Sequence, residues 1–185
     1  MMKKTIIPAL GALSLMLAGC DAADEAADPV KSTATAGSQD LAATIAGIDD
    51  LSTAAEVIGN AGLEDPFDGA GSYTAFLPSN AAFAALPEGD LERLRSDEGR
   101  PEVIALLRGH LAVGAISRED LDRALDQNGG SIELASVADE PIQVRKIDGQ
   151  ILVGDGDDAP HLTKIAEAAS NGVVYVIDGF IPPEN

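Results

Sequence analysis

The sequence predicts an α+β domain, helices first and strands last. Three observations carry the prediction. Apolar residues recur at helical spacing between positions 41 and 125, short β-forming runs fill the part after 131, and Asp148-Gly149 between two of those runs is a hairpin signal. A run of helices followed by hairpin-linked strands points away from a parallel α/β sheet.

In chain order, Leu41, Ile45, Ile48 and Leu51 share a helical face. Ala55, Val57 and Ile58 continue its apolar character to Gly59-Asn60-Ala61-Gly62, a stop. Residues 63–71 are a loop rich in Asp, Gly and Pro. Tyr73-Thr74-Ala75-Phe76-Leu77 is a short strand closed by Pro78, after which Ser79 or Asn80 can cap a helix carrying Phe83 and Leu86. Pro87 stops that helix, and Leu91 and Leu94 mark another short turn. Pro101 suits the first position of the next helix, where its missing N–H costs nothing, and Val103, Leu107, His110 and Leu111 lie on one side of it. Ser117-Arg118-Glu119-Asp120 reads as a capping box opening a helix through Leu121, Ala124 and Leu125, ended by Asn128-Gly129-Gly130. Residues 131–135, 142–147, 151–153 and 173–177 are strand-like, and the last run is too apolar for an edge.

Composition narrows the function. The 185 residues hold 31 acids against 12 bases, a net charge of −19, which excludes nucleic acid because its backbone would be repelled. With 45% hydrophobic residues the chain can build a core. A single cysteine permits neither an internal disulfide nor a zinc site of several thiolates.

Residues 1–19 read as a signal peptide. Lys3 and Lys4 supply its positive start, and the apolar stretch from Ile6 to Ala18 is too short to span a bilayer. It ends in Leu17-Ala18-Gly19-Cys20, which resembles the lipobox of bacterial lipoproteins. That resemblance implies cleavage before Cys20, a diacylglycerol on its sulfur and acylation of its freed amine, since several acyl chains hold a protein on a membrane where one does not. The protein would then be extracytoplasmic, touching the membrane through its lipid alone. Asp21 resembles the residue that keeps enteric lipoproteins on the periplasmic face of the inner membrane; the outer membrane or cell surface is the alternative. Residues 20–40, built of Ala, Ser, Thr, Gly and acid with Val30 as the one larger apolar residue, read as a flexible acidic tether. Residues 41–185 are the domain, and they still carry a net charge of −17.

Two stretches of that domain resemble the signatures of the fasciclin family. Tyr73-Thr74-Ala75-Phe76-Leu77-Pro78-Ser79-Asn80-Ala81-Ala82-Phe83 is similar to the first, a strand followed by Pro-Thr/Ser-Asn and a helix with a buried Phe. Asn171-Gly172-Val173-Val174-Tyr175-Val176-Ile177-Asp178 is similar to the second, and Leu106-Leu107-Arg108-Gly109-His110-Leu111 to the helix-borne Tyr-His region between them. The resemblance spans about 40–183 and implies a single fasciclin-like domain, a wedge of two β-sheets with helices packed around it. It also marks His110, Asn171 and Tyr175 as residues of signature regions that could contribute to binding. Two departures stand out: Tyr175 replaces the usual histidine, and Gly109 stands where an aromatic often precedes the helix histidine. Adhesive contacts of animal members involve the Tyr-His region and an Asp-Ile pair before the last strand. Gly109, and Thr163-Lys164-Ile165 in place of that pair, mean that integrin-type binding does not carry over.

Catalytic candidates are few. His110, amid Val103, Leu106 and Leu107, reads as a buried neutral imidazole bonded to backbone or a hydroxyl; acting as a base or ligand would need a partner that the sequence does not identify. Asp155, Asp157, Asp158 and His161 could weakly hold a divalent cation, though EF-hand spacing is absent, Pro160 stiffens the loop, and a solvated acidic loop explains the same residues. Residues 154–159 match a degenerate dinucleotide fingerprint, but three aspartates would repel a pyrophosphate and Pro160 blocks the helix that should follow. No other cofactor is implied. The expectation is a non-catalytic interaction or adhesion module binding an envelope or matrix protein or polysaccharide. The alternative is an envelope metal- or small-molecule-binding protein using the 155–161 loop, and an enzyme with His110 as its base ranks third.

Overall fold

The computed structural model describes residues 37–63, 71–156, 158–163 and 167–182. The signal peptide, Cys20, Asp21, the tether up to residue 36, most of the 63–71 loop, Asp157 and Lys164-Ile165 lie outside the described residues.

The chain opens with α1 (Leu41–Ala46), a 3-10 turn (Asp49–Leu51) and α2 (Ser52–Asn60). The face expected to be continuous is thus broken at Gly47, whose N–H closes α1 onto the Ala43 carbonyl. Then come β1 (Tyr73–Pro78), α3 (Asn80–Ala84), α4 (Asp90–Leu94), α5 (Arg100–Gly109), β2 (Leu111–Val113) and α6 (Arg118–Gln127). The last part is β3 (Ser131–Leu134), β4 (Ile142–Ile147), β5 (Gln150–Val153), β6 (Glu167–Ala169) and β7 (Gly172–Ile177). Asp148 (φ 51°) and Gly149 (φ 82°) make the expected β4–β5 hairpin turn, both in the left-handed region that such a turn needs.

Two sheets result, ordered β2-β1-β7-β6 and β3-β4-β5. Strand β7 is an interior strand, parallel to β1 and antiparallel to β6, and it is buried throughout. The sheets are laced together at both sides. On one side Val113 N–H donates to the Ala135 carbonyl (2.7 Å); on the other, Leu162 bridges to Ile177 and its N–H donates to the Ile151 carbonyl (2.8 Å). This gives the expected α+β wedge of two sheets surrounded by helices.

Alternation along β1 and β7 divides the core in two, because successive strand residues face opposite sides. Ala75, Leu77, Val174 and Val176 join Leu41, Leu51, Val57, Val103 and Leu107 under the helices. Phe76, Val173, Tyr175 and Ile177 join Leu121 and Leu125 of α6 and the inner face of the second sheet. The four-stranded sheet is therefore the middle layer.

The folded body reaches further toward the N-terminus than expected. Gly37 N–H donates to the Ala169 carbonyl (3.1 Å), Ser170 N–H donates to the Gln39 carbonyl (2.6 Å), and the Asp40 carboxylate accepts from Ala43 N–H to cap α1. Residues 37–40, read as tether, belong to the domain. At the other helix start, the capping box takes a modified form. Ser117 Oγ accepts from Asp120 N–H, but its hydroxyl proton goes to the Asp120 carboxylate at 2.6 Å. Asp120, 1% exposed, also receives Arg123 at 2.6 Å.

Candidate functional site

The two signature asparagines are helix caps acting across the fold. Ser79 caps its own helix, accepting from Ala82 N–H at 3.2 Å, which leaves Asn80 for another task. Asn80 Oδ1 accepts from Thr53 N–H (2.9 Å), and its Nδ2 donates to the Asp49 carbonyl and Ser52 Oγ, both at 2.9 Å. It thereby satisfies a backbone donor that α2 cannot satisfy itself. Asn171 does the same for α1, its Oδ1 accepting from Leu41 N–H at 2.8 Å. Gly172 beside it lets the two elements meet: a Cβ there would stand 2.2 Å from the Tyr73 carbonyl oxygen and 2.8 Å from Leu41 Cδ1.

Tyr175 is fully buried. Its ring stacks on Phe76, and its hydroxyl donates to the Ile116 carbonyl at 3.0 Å. Burial raises the phenol pKa far above its ordinary value of 10. Thr74, also buried, donates from Oγ1 to the Gly114 carbonyl (2.7 Å) and accepts from Ile116 N–H (2.9 Å). Thr74 and Tyr175 together satisfy both backbone groups of Ile116.

His110 is the C-cap of α5 and 2% exposed. Its Nδ1 lies 2.7 Å from the Leu106 carbonyl and its Nε2 accepts from Ile181 N–H at 3.0 Å. Those partners assign the proton to Nδ1. Burial lowers the pKa from 6.5 to about 4, against a smaller rise from the Leu106 carbonyl, so the ring is neutral at pH 7. Its neighbour Phe180 packs edge-on against Phe83, with ring centroids 5.0 Å apart. The imidazole therefore fastens the C-terminal segment to the end of α5, and neither nitrogen is left to act on a substrate.

His161 faces Asp178, its backbone N–H donating to Oδ1 at 2.6 Å and its ring Nδ1 lying 3.4 Å from Oδ2. Asp155 and Asp158 are exposed, and Asp157 is outside the described residues. Among the described residues no group of three or more His, Cys, Asp or Glu side chains converges as a metal site would require. No described helix is long and apolar enough to cross a membrane.

A groove of about 510 Å³ lies beside His110. Helices α4 and α5 form one wall, residues 138–143 with Gly154 and Asp155 the other, and Phe180, Ile181 and Pro182 lie between them. Gly109 opens into it: a Cβ at that position would meet no atom within 4 Å. This is the position where the family often carries an aromatic. The glycine was visible in the sequence as a departure, but the opposite wall comes from the 138–141 loop, the start of β4 and the two residues after β5, and their placement against α5 is set by tertiary packing.

The comparisons agree with this architecture. Residues 49–183 match the family model described as Fasciclin domain. Protein sll1483 of Synechocystis sp. is 30% identical over 175 residues, covering 95% of this chain and 90% of that protein. The transforming growth factor-beta-induced protein ig-h3 of Sus scrofa is 28% identical over 141 residues, 74% of this chain but 18% of its own length. Among solved structures, a FAS1 domain pair from the insect cell adhesion molecule fasciclin I overlays with a TM-score of 0.67 at 18% identity, over 80% of this chain and 52% of that one. The chain thus spans about half of that domain pair, and at this identity the likeness concerns the fold alone. By sequence and by fold, this chain belongs to the fasciclin domain family.

Proposed function

We propose that the protein is a non-catalytic interaction module, anchored through lipid at Cys20 on the extracytoplasmic face of a bacterial membrane. It would present one fasciclin domain to a neutral or basic protein or polysaccharide of the envelope. The family is associated with adhesion and interaction modules, which supports the general reading. The observation that carries the non-catalytic part is the state of His110, whose two ring nitrogens are both bonded to backbone. A general base needs a lone pair within reach of substrate. The anchor rests on Leu17-Ala18-Gly19-Cys20 following a short apolar segment with two lysines before it. An acidic domain keeps away from anionic headgroups, which suits a tethered arrangement.

The test is in-cell crosslinking followed by identification of what co-purifies, with Cys20→Ser as the untethered control and a palmitate analogue as label. The wild-type protein should take up label, fractionate with membrane and recover an envelope partner; Cys20→Ser should lose label and leave the membrane while its domain still folds. Label retained in Cys20→Ser would overturn the anchor, and turnover of a small substrate without any partner would overturn the module.

A further inference from the structure

We propose that the groove between α5 and the wall formed by residues 138–143 with Gly154 and Asp155 binds a small amphiphile with an apolar body and a cationic end. This goes beyond the interaction module and does not depend on the anchor.

The groove has the size of a small-molecule site, since pockets for such ligands run from about 300 to 1,000 Å³. Its interior is mostly hydrocarbon, with Leu86, Leu106, Ile142, Phe180 and Ile181 in the lining. His110 also lines it, but it is buried with both nitrogens bonded inside the fold and offers no free donor. Gly109 makes the room: at the C-terminal end of α5 a side chain is missing where the backbone could carry one, because a Cβ there would touch nothing.

Charge selects the head group. Four carboxylates line the groove, Asp90, Glu102, Glu140 and Asp155, against the single guanidinium of Arg93. Arg93 is already paired with Asp90 (3.0 Å) and Glu102. Arg145, the nearby cation of β4, is outside the lining and donates to the Gly156 carbonyl. The opposite wall thus presents Glu140 and Asp155, both exposed, in a protein of net charge −19. That field draws a cation to the mouth and turns an anion away. A fatty acid or an anionic lipid would bring a carboxylate or phosphate against those side chains, so the complement is an apolar chain ending in an ammonium-type group.

The test is a titration of the full-length, ¹⁵N-labelled chain carrying Cys20→Ser, so that no acyl chain of its own competes. Three probes share one alkyl chain and differ in the head: octyltrimethylammonium, 1-octanol and octanoate. The cation should shift the amide resonances of Gly109 and Ile181 and bind tightest, with octanol next and octanoate weakest. Gly109→Phe should fill the groove and weaken the cation roughly tenfold, while the melting temperature stays near that of the parent. Glu140→Gln with Asp155→Asn, both at the surface, should leave octanol binding unchanged and narrow the preference for cation over anion by about threefold. The proposal is overturned by octanoate binding as tightly as the cation, by Gly109→Phe binding unchanged, or by no shift at either amide. Shifts at Gly109 that depend on protein concentration without any probe would instead identify a second copy as the occupant.

Discussion

Phe76 and Tyr175 face each other across the two parallel central strands, their rings 5.3 Å apart and tilted by 15°. Each comes from one of the two signature stretches, so this pair joins the motifs at the centre of the fold. The position often occupied by histidine in the family here holds a phenol that bonds the Ile116 carbonyl inside the second core. What looked like a possible binding residue is, in this chain, a buried connection between the sheet and the segment leading into α6.

Tyr175→Phe should keep the stack and lose the hydrogen bond, at a cost of about 1 kcal/mol. Tyr175→Ala should cost roughly 3–5 kcal/mol, because it removes an aromatic ring from a packed interior. Urea midpoints of the two variants would check this; equal losses would mean that the stack contributes nothing beyond the hydroxyl.

His110 makes stability depend on pH in a defined window. Its pKa is about 4 in the folded protein against an ordinary value of 6.5, so the unfolded chain binds the proton first. The stabilisation is fully present above 6.5 and is lost as pH falls from there toward 4. At full effect this linkage amounts to about 3 kcal/mol. His110→Gln should be less stable at pH 7, having lost one of its two backbone bonds, yet its stability should change less between pH 6.5 and 4.5. Chemical denaturation at several pH values gives both curves, and parallel curves would refute the assignment.

Thr74→Val keeps the shape of a buried side chain but leaves the Gly114 carbonyl and the Ile116 N–H without their partner. The expected loss is about 2–4 kcal/mol, more than for Tyr175→Phe. Thr74→Ser should recover most of it. Thermal melts of the three proteins decide the point: a valine variant as stable as the serine one would show that the hydroxyl is dispensable.

Asn80→Ala and Asn171→Ala should each cost about 1–2 kcal/mol, through the helices they cap and not through their own segments. Hydrogen exchange offers a sharper readout than global stability. Asn80→Ala should expose the Thr53 amide, and Asn171→Ala the Leu41 amide. Faster exchange confined to residues 80–84 in the first variant would contradict the capping role.

Much of the fold was legible because its signals are local. Ser79 before a short helix, Asp148-Gly149 between alternating strands and Ser117 three residues before Asp120 are all satisfied within a few residues of themselves. Two strands are invisible in the sequence for the opposite reason. Leu111 follows Leu107 at helical spacing, which points to helix, but β2 begins there because Leu111, Ala112 and Val113 pair with β1. Residues 167–169 are Glu-Ala-Ala, with no strand preference at all, and become β6 by pairing with the buried β7.

The single cysteine, the acidic excess and the two family signatures are properties of the chain that no packing can alter, and the sequence alone determined them. Tertiary structure decided what the signature residues do. A side chain's role depends on which donors and acceptors lie within about 3 Å, and for Asn80, Asn171, Tyr175 and His110 those partners come from distant parts of the chain. The groove at Gly109 has the same origin. A missing side chain becomes a cavity only when packing sets another wall opposite it, as residues 138–143, Gly154-Asp155 and residues 180–182 do here.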